Sequence, residues 1–159
     1  MRLTLTAEFT CPAATVWYQA HRPELLQWIA WPLLRFTPRG TTPWPRRWVP
    51  GRYRARVWGF GIIPLGSQWI GVEHPQGATL KDGRGVLRDN GSGTLIRVWD
   101  HWVFIEDLGV GRTRYTDRLD VKAGVLTPMV WLFARIFYGH RQKRWNTLIS
   151  ENFTQLDAK

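Results

Sequence analysis

The feature that most constrains the fold is an apolar stripe in the last third of the chain. Large side chains recur there at steps of three and four residues over about 28 residues, which predicts one long helix with a single buried face. Thr127 and Pro128 fit its start, an N-cap followed by proline in the first turn, and the helix is predicted to end near Leu156. At roughly 42 Å, such a helix can cross the whole face of a sheet. The stripe comprises Val130, Phe133, Ala134, Phe137, Arg141, Trp145, Leu148, Ile149, Phe153 and Leu156.

The rest of the chain has the pattern of strands joined by short turns. Residues 2–9 alternate apolar and polar side chains, and two short helices are predicted at 13–20 and 23–30. Consecutive strands with short connections pair antiparallel. The predicted fold class is therefore α+β, a curved antiparallel sheet of about seven strands wrapped around the long C-terminal helix. The further strands are predicted at 52–58, 66–74, 78–81, 85–89, 95–105 and 112–121.

Turn and loop signals separate these strands. Asp82-Gly83 is a tight hairpin signal, and the segment 90–93 (NGSG) predicts another turn. Residues 37–51 contain four prolines and two glycines, which favours a loop. This loop is either a surface connector or a lid that carries Trp44 and Trp48 over a cavity.

Composition narrows the compartment and the chemistry. The 159 residues, 44% of them hydrophobic, fit a single domain spanning 1–159. The lone cysteine, Cys11, excludes an internal disulfide, and no signal peptide or transmembrane run is present, so the cytoplasm is predicted. The four histidines have no metal-ligand spacing with carboxylates, and no nucleotide-binding loop occurs, so no metal or cofactor is predicted.

The net charge of +10 and the 11 tryptophans leave several interpretations open. The arginines either form solvated faces or bind an anionic membrane surface or nucleic acid. Nucleic acid is disfavoured because the charges are spread over several elements and no reading helix is present. The tryptophans either fill the core or form the wall of an aromatic cavity.

Three local motifs, in this order of elements, point to a known family. Residues 9–17 (FTCPAATVW) resemble a strand that enters a first helix through proline, and 116–118 (TDR) resembles a T-D-x segment. Residues 137–141 (FYGHR) resemble an aromatic-then-arginine patch in the terminal helix of some bacterial members. Together they resemble the START/Bet v 1-like superfamily, the polyketide cyclase/dehydrase and lipid-transport group. The resemblance implies a helix-grip fold with a cavity between sheet and helix, which in known members holds lipids, sterols, polyketides or plant hormones.

The main functional hypothesis is therefore binding or transport of a hydrophobic small molecule or lipid in that cavity. Asp117 lies on the inward row of its strand, where a buried carboxylate must be paired, hydrogen-bonded or protonated. It either fixes the fold or anchors a ligand. The candidate ligand-binding residues are Tyr53, Trp69, Trp102, Tyr115, Asp117, Trp131 and Phe137.

Two alternatives remain. The first is an enzyme of the cyclase or dehydratase type with Asp117 or His101 as acid/base, which is disfavoured because no second polar group is evident beside them. Asp100 and His101 point to opposite faces of a strand, and which face lines the cavity is left open. Asp100 would couple to Asp117 if the register made them neighbours. The second alternative is a basic protein without a cavity that binds an anionic membrane or nucleic acid.

Overall fold

The computed structural model describes residues 1–157, and all of its strands belong to one antiparallel sheet. The sheet order is β1-β7-β6-β5-β4-β3-β2, so the chain meanders from β2 to β7 and β1 pairs with the last strand. The strands are β1 Arg2–Phe9, β2 Leu34–Pro38, β3 Gly51–Gly59, β4 Ile63–Glu73, β5 Arg84–Gly93, β6 Val98–Gly109 and β7 Arg112–Lys122. The helices are α1 Ala13–Ala20, α2 Pro23–Ala30, α3 Thr127–Ser150 and α4 Thr154–Asp157, with a 3₁₀ turn at Gly124–Leu126.

Helix α3 packs its apolar stripe against the sheet and against α2. The stripe prediction is confirmed along α3, where the buried residues are Ala134, Phe137, Tyr138, Arg141, Trp145 and Leu148. The predicted single helix to Leu156 is wrong, because Asn152 and Phe153 adopt left-handed backbone conformations, with φ of 51° and 60°. The N–H of Phe153 donates to the carbonyl of Leu148 at 2.8 Å, which ends the helix. The Phe153 ring then packs edge-on against Trp145.

The fold class and the number of strands are confirmed, although two strands differ from the prediction. Strand β2 was not predicted, because it is short and ends at Pro38. Its last two residues fell within the predicted 37–51 loop. The predicted strand at 78–81 is only an isolated bridge between Lys81 and Arg84. The predicted turn at 90–93 is instead the end of β5, because glycines in both strands allow β5 to approach β4 closely. A Cβ on Gly71 of β4 would lie 2.5 Å from the carbonyl oxygen of Asn90.

Two apolar clusters lie between α3 and the sheet. We call the first the closed end, and it contains Phe9, Trp17, Tyr115, Trp145 and Phe153. The second surrounds the opposite half of α3 and includes Phe36, Val57, Val72, Trp99 and Phe137. No helix within residues 1–157 combines the length and the apolar character needed to cross a membrane.

Candidate ligand cavity

A cavity of about 520 Å³ lies between the concave face of the sheet and helices α2 and α3. Its volume is in the range of pockets that hold small molecules, roughly 300–1,000 Å³. Most of its walls are apolar, and they include Leu25, Ile29, Ile70, Val72, Val103 and Phe137. The indole of Trp48 lines it as well, so the 37–51 loop contributes to the cavity wall. The loop is held there by the backbone N–H of Trp48, which donates to the backbone carbonyl of His21 at 2.7 Å.

The cavity occupies one half of the gap between α3 and the sheet. At the closed end, Trp145 packs on Phe9 and Tyr115 with ring centroids 5.5 Å apart in both pairs, which fills the gap between helix and sheet. Towards the start of α3, Val130, Phe133 and Phe137 line the cavity instead. The side chains of this half leave part of the gap unfilled, whereas protein interiors are otherwise closely packed.

Polar groups collect on one side of the cavity. We call this set the polar corner, and it consists of Asp89, His101, Arg141 and Asp117. Asp89 and His101 lie directly opposite each other on β5 and β6, and both line the cavity together with Arg141. Asp117 of β7 lies behind His101 and is only 3% exposed.

The Asp117 carboxylate is fully engaged. Its Oδ1 accepts a hydrogen bond from His101 Nε2 at 2.8 Å, and its Oδ2 accepts one from the Gln142 amide at 3.0 Å. Burial lowers the pKa of His101, so its imidazole is neutral at physiological pH. A carboxylate can only accept, so the single imidazole proton lies on Nε2. Asp117 is therefore paired, as its inward position predicted, by histidine and an amide rather than by arginine or tryptophan.

Asp89 is an acidic group that faces the cavity from deep in the sheet. Its Oδ1 accepts a hydrogen bond from the backbone N–H of Gly71 at 2.8 Å. Burial raises its pKa to about 7, partly offset by that hydrogen bond. Both protonation states of Asp89 are thus populated near neutral pH.

Arg141 is a buried cation in the same corner, with only 9% of its surface exposed. Its Cζ lies 4.7 Å from the Tyr138 ring centroid and 5.7 Å from that of Phe137. Within residues 1–157, its Nε is buried and has no hydrogen-bond partner. The cavity therefore combines apolar walls with a cation, a carboxyl group that titrates near neutrality and a neutral histidine.

Comparisons with known proteins place the fold. No family profile matches the chain, and no curated protein does either. A START superfamily protein from Mycobacterium smegmatis aligns over 94% of this chain and 97% of its own, with a TM-score of 0.66 and 18% identity. A protein from Arthrobacter aurescens aligns over 94% and 86%, with a TM-score of 0.65 and 18% identity. A third, from Nitrosomonas europaea, aligns over 96% of both chains, with a TM-score of 0.62 and 16% identity.

The chain has the START/Bet v 1-like helix-grip fold. The sheet, the two short helices after β1 and the long C-terminal helix all agree with that architecture. START-like folds commonly bind hydrophobic ligands between sheet and helix. The cavity described above lies at that place in this chain.

The structure brings some of the predicted site residues to this START-like cavity. Tyr115 and Phe137 line it, as does His101. Asp117 does not line the cavity, but it accepts a hydrogen bond from His101, which does. Whether any of these residues binds a ligand stays a prediction.

The four other predicted lining residues lie outside the cavity, which corrects the expected lining. Trp102 is on the outer face of β6, between the guanidinium groups of Arg88 and Arg118 at 4.7 and 5.0 Å from its ring centroid. Trp69 is likewise on the outer face of β4, beside Arg52 and Arg54. Strand β6 carries aromatic residues on both faces, and the one aromatic residue of β4 is on the outer face, so sequence alternation did not decide which face lies inside.

Tyr53 and Trp131 are directed elsewhere by hydrogen bonds to the backbone. The Tyr53 hydroxyl donates to the carbonyl of Val49 at 2.9 Å, and its ring packs on Trp48. The Trp131 indole donates to the carbonyl of Arg2 at 2.9 Å, across the end of β1. The register does not make Asp100 and Asp117 neighbours, since Asp100 lies opposite Asp120 in the β6–β7 pairing.

Sequence reasoning missed most of the cavity lining, and for three of the missed residues the available signal can be named. Asp89 gave no signal, because its short predicted strand had no clear inner face. Trp99 points to the same face of β6 as His101, so a prediction that this face lines the cavity would have identified it. Arg141 was visible as the one charged residue within the apolar stripe of α3, and that position predicts a buried cation.

The mouth of the cavity has an exposed apolar rim. We define the rim as Phe60, Ile62, Leu95, Val125, Leu126 and Met129, which lie in three neighbouring connections and the first turn of α3. Phe60, Leu95, Leu126 and Met129 also line the cavity. Ile62 and Met129 are 78% and 63% exposed. Contiguous exposed apolar surface of this kind marks a contact with a ligand, a partner or a membrane.

Proposed function

We propose that this protein binds a hydrophobic small molecule or lipid in the cavity between the sheet and α3. The observation that carries the proposal is the cavity itself, about 520 Å³ with predominantly apolar walls inside a START-like fold. An apolar molecule that enters such a space gains about 25 cal/mol for each Å² of apolar surface removed from water. The open mouth with its apolar rim gives the ligand a route to the cavity.

A cavity-filling substitution tests the proposal. Ile70 lies on the inner face of β4 and lines the cavity, so Ile70→Trp is expected to occupy ligand space. Arg54→Trp is the matched control, because it adds the same ring on the exposed outer face of the neighbouring strand. The probe is the uncharged fluorophore N-phenyl-1-naphthylamine, whose emission rises in apolar surroundings.

We expect the wild type and Arg54→Trp to bind the probe with one site, and Ile70→Trp to lose at least tenfold in affinity. Equal binding by all three proteins would place the probe on the outside of the molecule and contradict the proposal. Absence of binding by the wild type would do so as well. Circular dichroism of each variant verifies that the comparison is made between folded proteins.

The enzymatic alternative depends on the polar corner. A general acid or base must lie within hydrogen-bond reach of the substrate atom that it protonates or deprotonates. His101 lines the cavity, whereas Asp117 is held behind it by two hydrogen bonds. His101 is thus the stronger candidate of the two, with Asp117 as its positioning residue. Turnover of a bound polyketide that is lost in His101→Gln, with binding retained, would favour this alternative.

A second candidate function is contact with an anionic membrane surface, and the apolar rim favours it. Exposed apolar residues that insert among lipid headgroups, together with nearby cations, bind anionic bilayers. Arg97 and Lys122 are exposed beside the rim, and the whole chain has a net charge of +10. This surface would allow the cavity to exchange its ligand directly with a bilayer.

Vesicle sedimentation tests the membrane candidate. Val125 in the rim and Val110 in the β6–β7 turn at the opposite end of the sheet are almost fully exposed, at 95% and 99%. Val125→Glu is expected to weaken binding to phosphatidylglycerol vesicles, whereas Val110→Glu leaves it unchanged. If both variants sediment equally, binding is due to overall charge, and the rim is not the docking surface.

We further propose that residues 1–159 form one domain that works in the cytoplasm. Every strand of residues 1–157 belongs to one sheet, which supports a single domain, and the last two residues lie outside the described part. Cys11 is buried and has no disulfide partner in the sequence, which suits a reducing compartment.

A further inference from the structure

Arg141 is the most deeply buried arginine within residues 1–157, and it differs from three half-buried arginines that have polar partners. Arg118, half-buried on the outer face of the sheet, also has a buried Nε without a partner within these residues, but it does not line the cavity. Arg22 forms an ion pair with Asp157 at 2.7 Å, and Arg88 forms one with Asp100 at 2.8 Å. Arg144 donates from Nε to the carbonyl of Trp28 at 2.9 Å. In contrast, Arg141 is more deeply buried than these and forms neither an ion pair nor a hydrogen bond within residues 1–157.

The carboxylates nearest to Arg141 in the polar corner already have other partners. Asp117 accepts from His101 and Gln142, and Asp89 accepts from the N–H of Gly71. The aromatic faces of Tyr138 and Phe137 stabilise the guanidinium, but a cation–π contact uses none of its N–H groups. An arginine stays charged at any physiological pH and offers five donors. A buried charge of this kind is costly unless an anion pairs with it.

The unpaired donors face the cavity. Arg141 lines the cavity. Its Nε is fully buried without a partner among the described residues, whereas its two terminal nitrogens are not fully buried. An anion at the end of a ligand would therefore meet the guanidinium, while the remainder of the ligand would contact the apolar walls. The positive charge and the apolar space are parts of one site.

We propose that the cavity ligand is an amphipathic monocarboxylic acid whose carboxylate pairs with Arg141 and whose apolar body fills the space towards the mouth. This inference rests on the proposed function and names the ligand class for it. A planar carboxylate matches the fork of a guanidinium and accepts two parallel hydrogen bonds. A single positive charge beside Asp89 and Asp117 suits a monoanion, since those acidic groups disfavour the second charge of a phosphate monoester.

Calorimetric titration of three ligands with one chain length tests the ligand class. Dodecanoate, dodecanol and dodecyl phosphate carry the same apolar body and differ only in the head group. We expect dodecanoate to bind the wild-type protein about 10- to 100-fold more tightly than dodecanol, the range that a hydrogen-bonded charged group supplies. Dodecyl phosphate is expected to bind more weakly than dodecanoate.

Three variants test the assignment to Arg141. Arg141→Met keeps a long side chain without charge and is expected to abolish the preference for dodecanoate over dodecanol. Arg141→Lys retains the charge and is expected to restore part of the preference. Arg135→Met is the matched control, since it removes the same charge from an exposed position on the same helix. We expect it to bind all three ligands as the wild type does.

Equal affinity of the wild type for dodecanoate and dodecanol would overturn the proposal without the use of any variant. A preference that survives in Arg141→Met would overturn the role of Arg141, and tighter binding of dodecyl phosphate would overturn the monocarboxylate class. The proposed function itself would be contradicted if the wild type bound neither the uncharged fluorophore nor any of the three dodecyl ligands. Binding of the fluorophore without carboxylate preference would retain the cavity and reject only this inference.

Discussion

Helix α3 crosses two regions of the same sheet, and what fills the gap differs between them. At the closed end, Trp145 is 1% exposed and packs on Phe9 and Tyr115, so helix and sheet are joined by large rings. In the other half, side chains surround the cavity, and the helix contributes Phe133 and Phe137 to its wall. The same pairing of one helix with one sheet thus provides a packed core at one end and a binding cavity at the other.

The difference separates stability from function along a single helix. Close-packed side chains hold the structure together, and their removal leaves a costly void. Cavity-wall side chains have already lost contacts on one side, so they contribute less to folding and more to the shape of the ligand site. Substitutions at the two ends should therefore separate the two properties.

The largest expected effect is at the closed end. Trp145→Ala removes the ring that joins α3 to β1 and β7, and we expect the free energy of unfolding to fall by about 3–5 kcal/mol. Urea denaturation followed by far-ultraviolet circular dichroism measures the change. A loss below about 1 kcal/mol would show that this end is not the tightly packed core.

The next effect concerns the hydrogen-bonded part of the polar corner. Asp117→Ala removes the acceptor of one His101 N–H and one Gln142 N–H, although Gln142 still donates to the carbonyl of Leu5 at 3.2 Å. Each buried unpaired donor costs about 1–3 kcal/mol. We expect a loss of about 2–3 kcal/mol by the same denaturation experiment. Thr116→Ala, at the neighbouring outward position of β7, is the control and is expected to change stability by less than about 1 kcal/mol.

A smaller effect is the pH dependence of carboxylate binding. The pKa of Asp89 is about 7, so the group is largely neutral at pH 6 and largely ionised at pH 8. Its ionised form repels a bound carboxylate, and we expect the affinity for dodecanoate to fall by up to about tenfold, or 1.4 kcal/mol, over that range. The groups around Asp89 are the Gly71 N–H and Glu73 of β4, His101 and Asp100 of β6, and Tyr138 and Arg141 of α3.

The variant Asp89→Asn isolates this effect. Burial lowers the pKa of His101 and raises that of Tyr138, so burial favours the neutral form of both groups. The variant is therefore expected to bind dodecanoate equally at both pH values. A pH dependence that persists in Asp89→Asn would assign the titration to another group.

The smallest expected effect on stability is at the cavity wall. Phe133 is only half-buried: it lines the cavity and stacks on Phe137, with 5.8 Å between ring centroids. Phe133→Ala is expected to lower the free energy of unfolding by less than about 1.5 kcal/mol, below the usual cost for a fully packed phenylalanine. A loss equal to that of Trp145→Ala would erase the distinction between the two ends.

The sequence predicted the elements whose signals are local. The stripe of α3 and the alternation in β1 and β7 repeat with the period of one element, and α1 and α2 begin at proline signals. Strand β2 was missed because five residues ending in Pro38 carry too little alternation. The end of α3 was missed because Asn152 and Phe153 adopt left-handed conformations, and no glycine is present there to indicate the end of a helix.

The cavity lining was harder to predict, because a strand pattern gives two faces without saying which is inside. Trp69 and Trp102 are large and aromatic, yet arginine side chains cover them on the outer face. Asp89 acquires its role from the strand opposite it and from the N–H of Gly71. The lack of a partner for Arg141 is a property of the whole fold, so no window of sequence reveals it.

The pairing of β1 with β7 has a consequence for synthesis. Thr6 and Thr116, joined across these two strands, are 110 residues apart. At about 5–20 residues per second, the ribosome needs roughly 5 to 20 seconds to deliver the partner of β1 after β1 itself has emerged. During that interval the apolar face of β1 has no strand beside it and is open to chaperones. The sheet can be completed only after nearly all of its strands have left the ribosome.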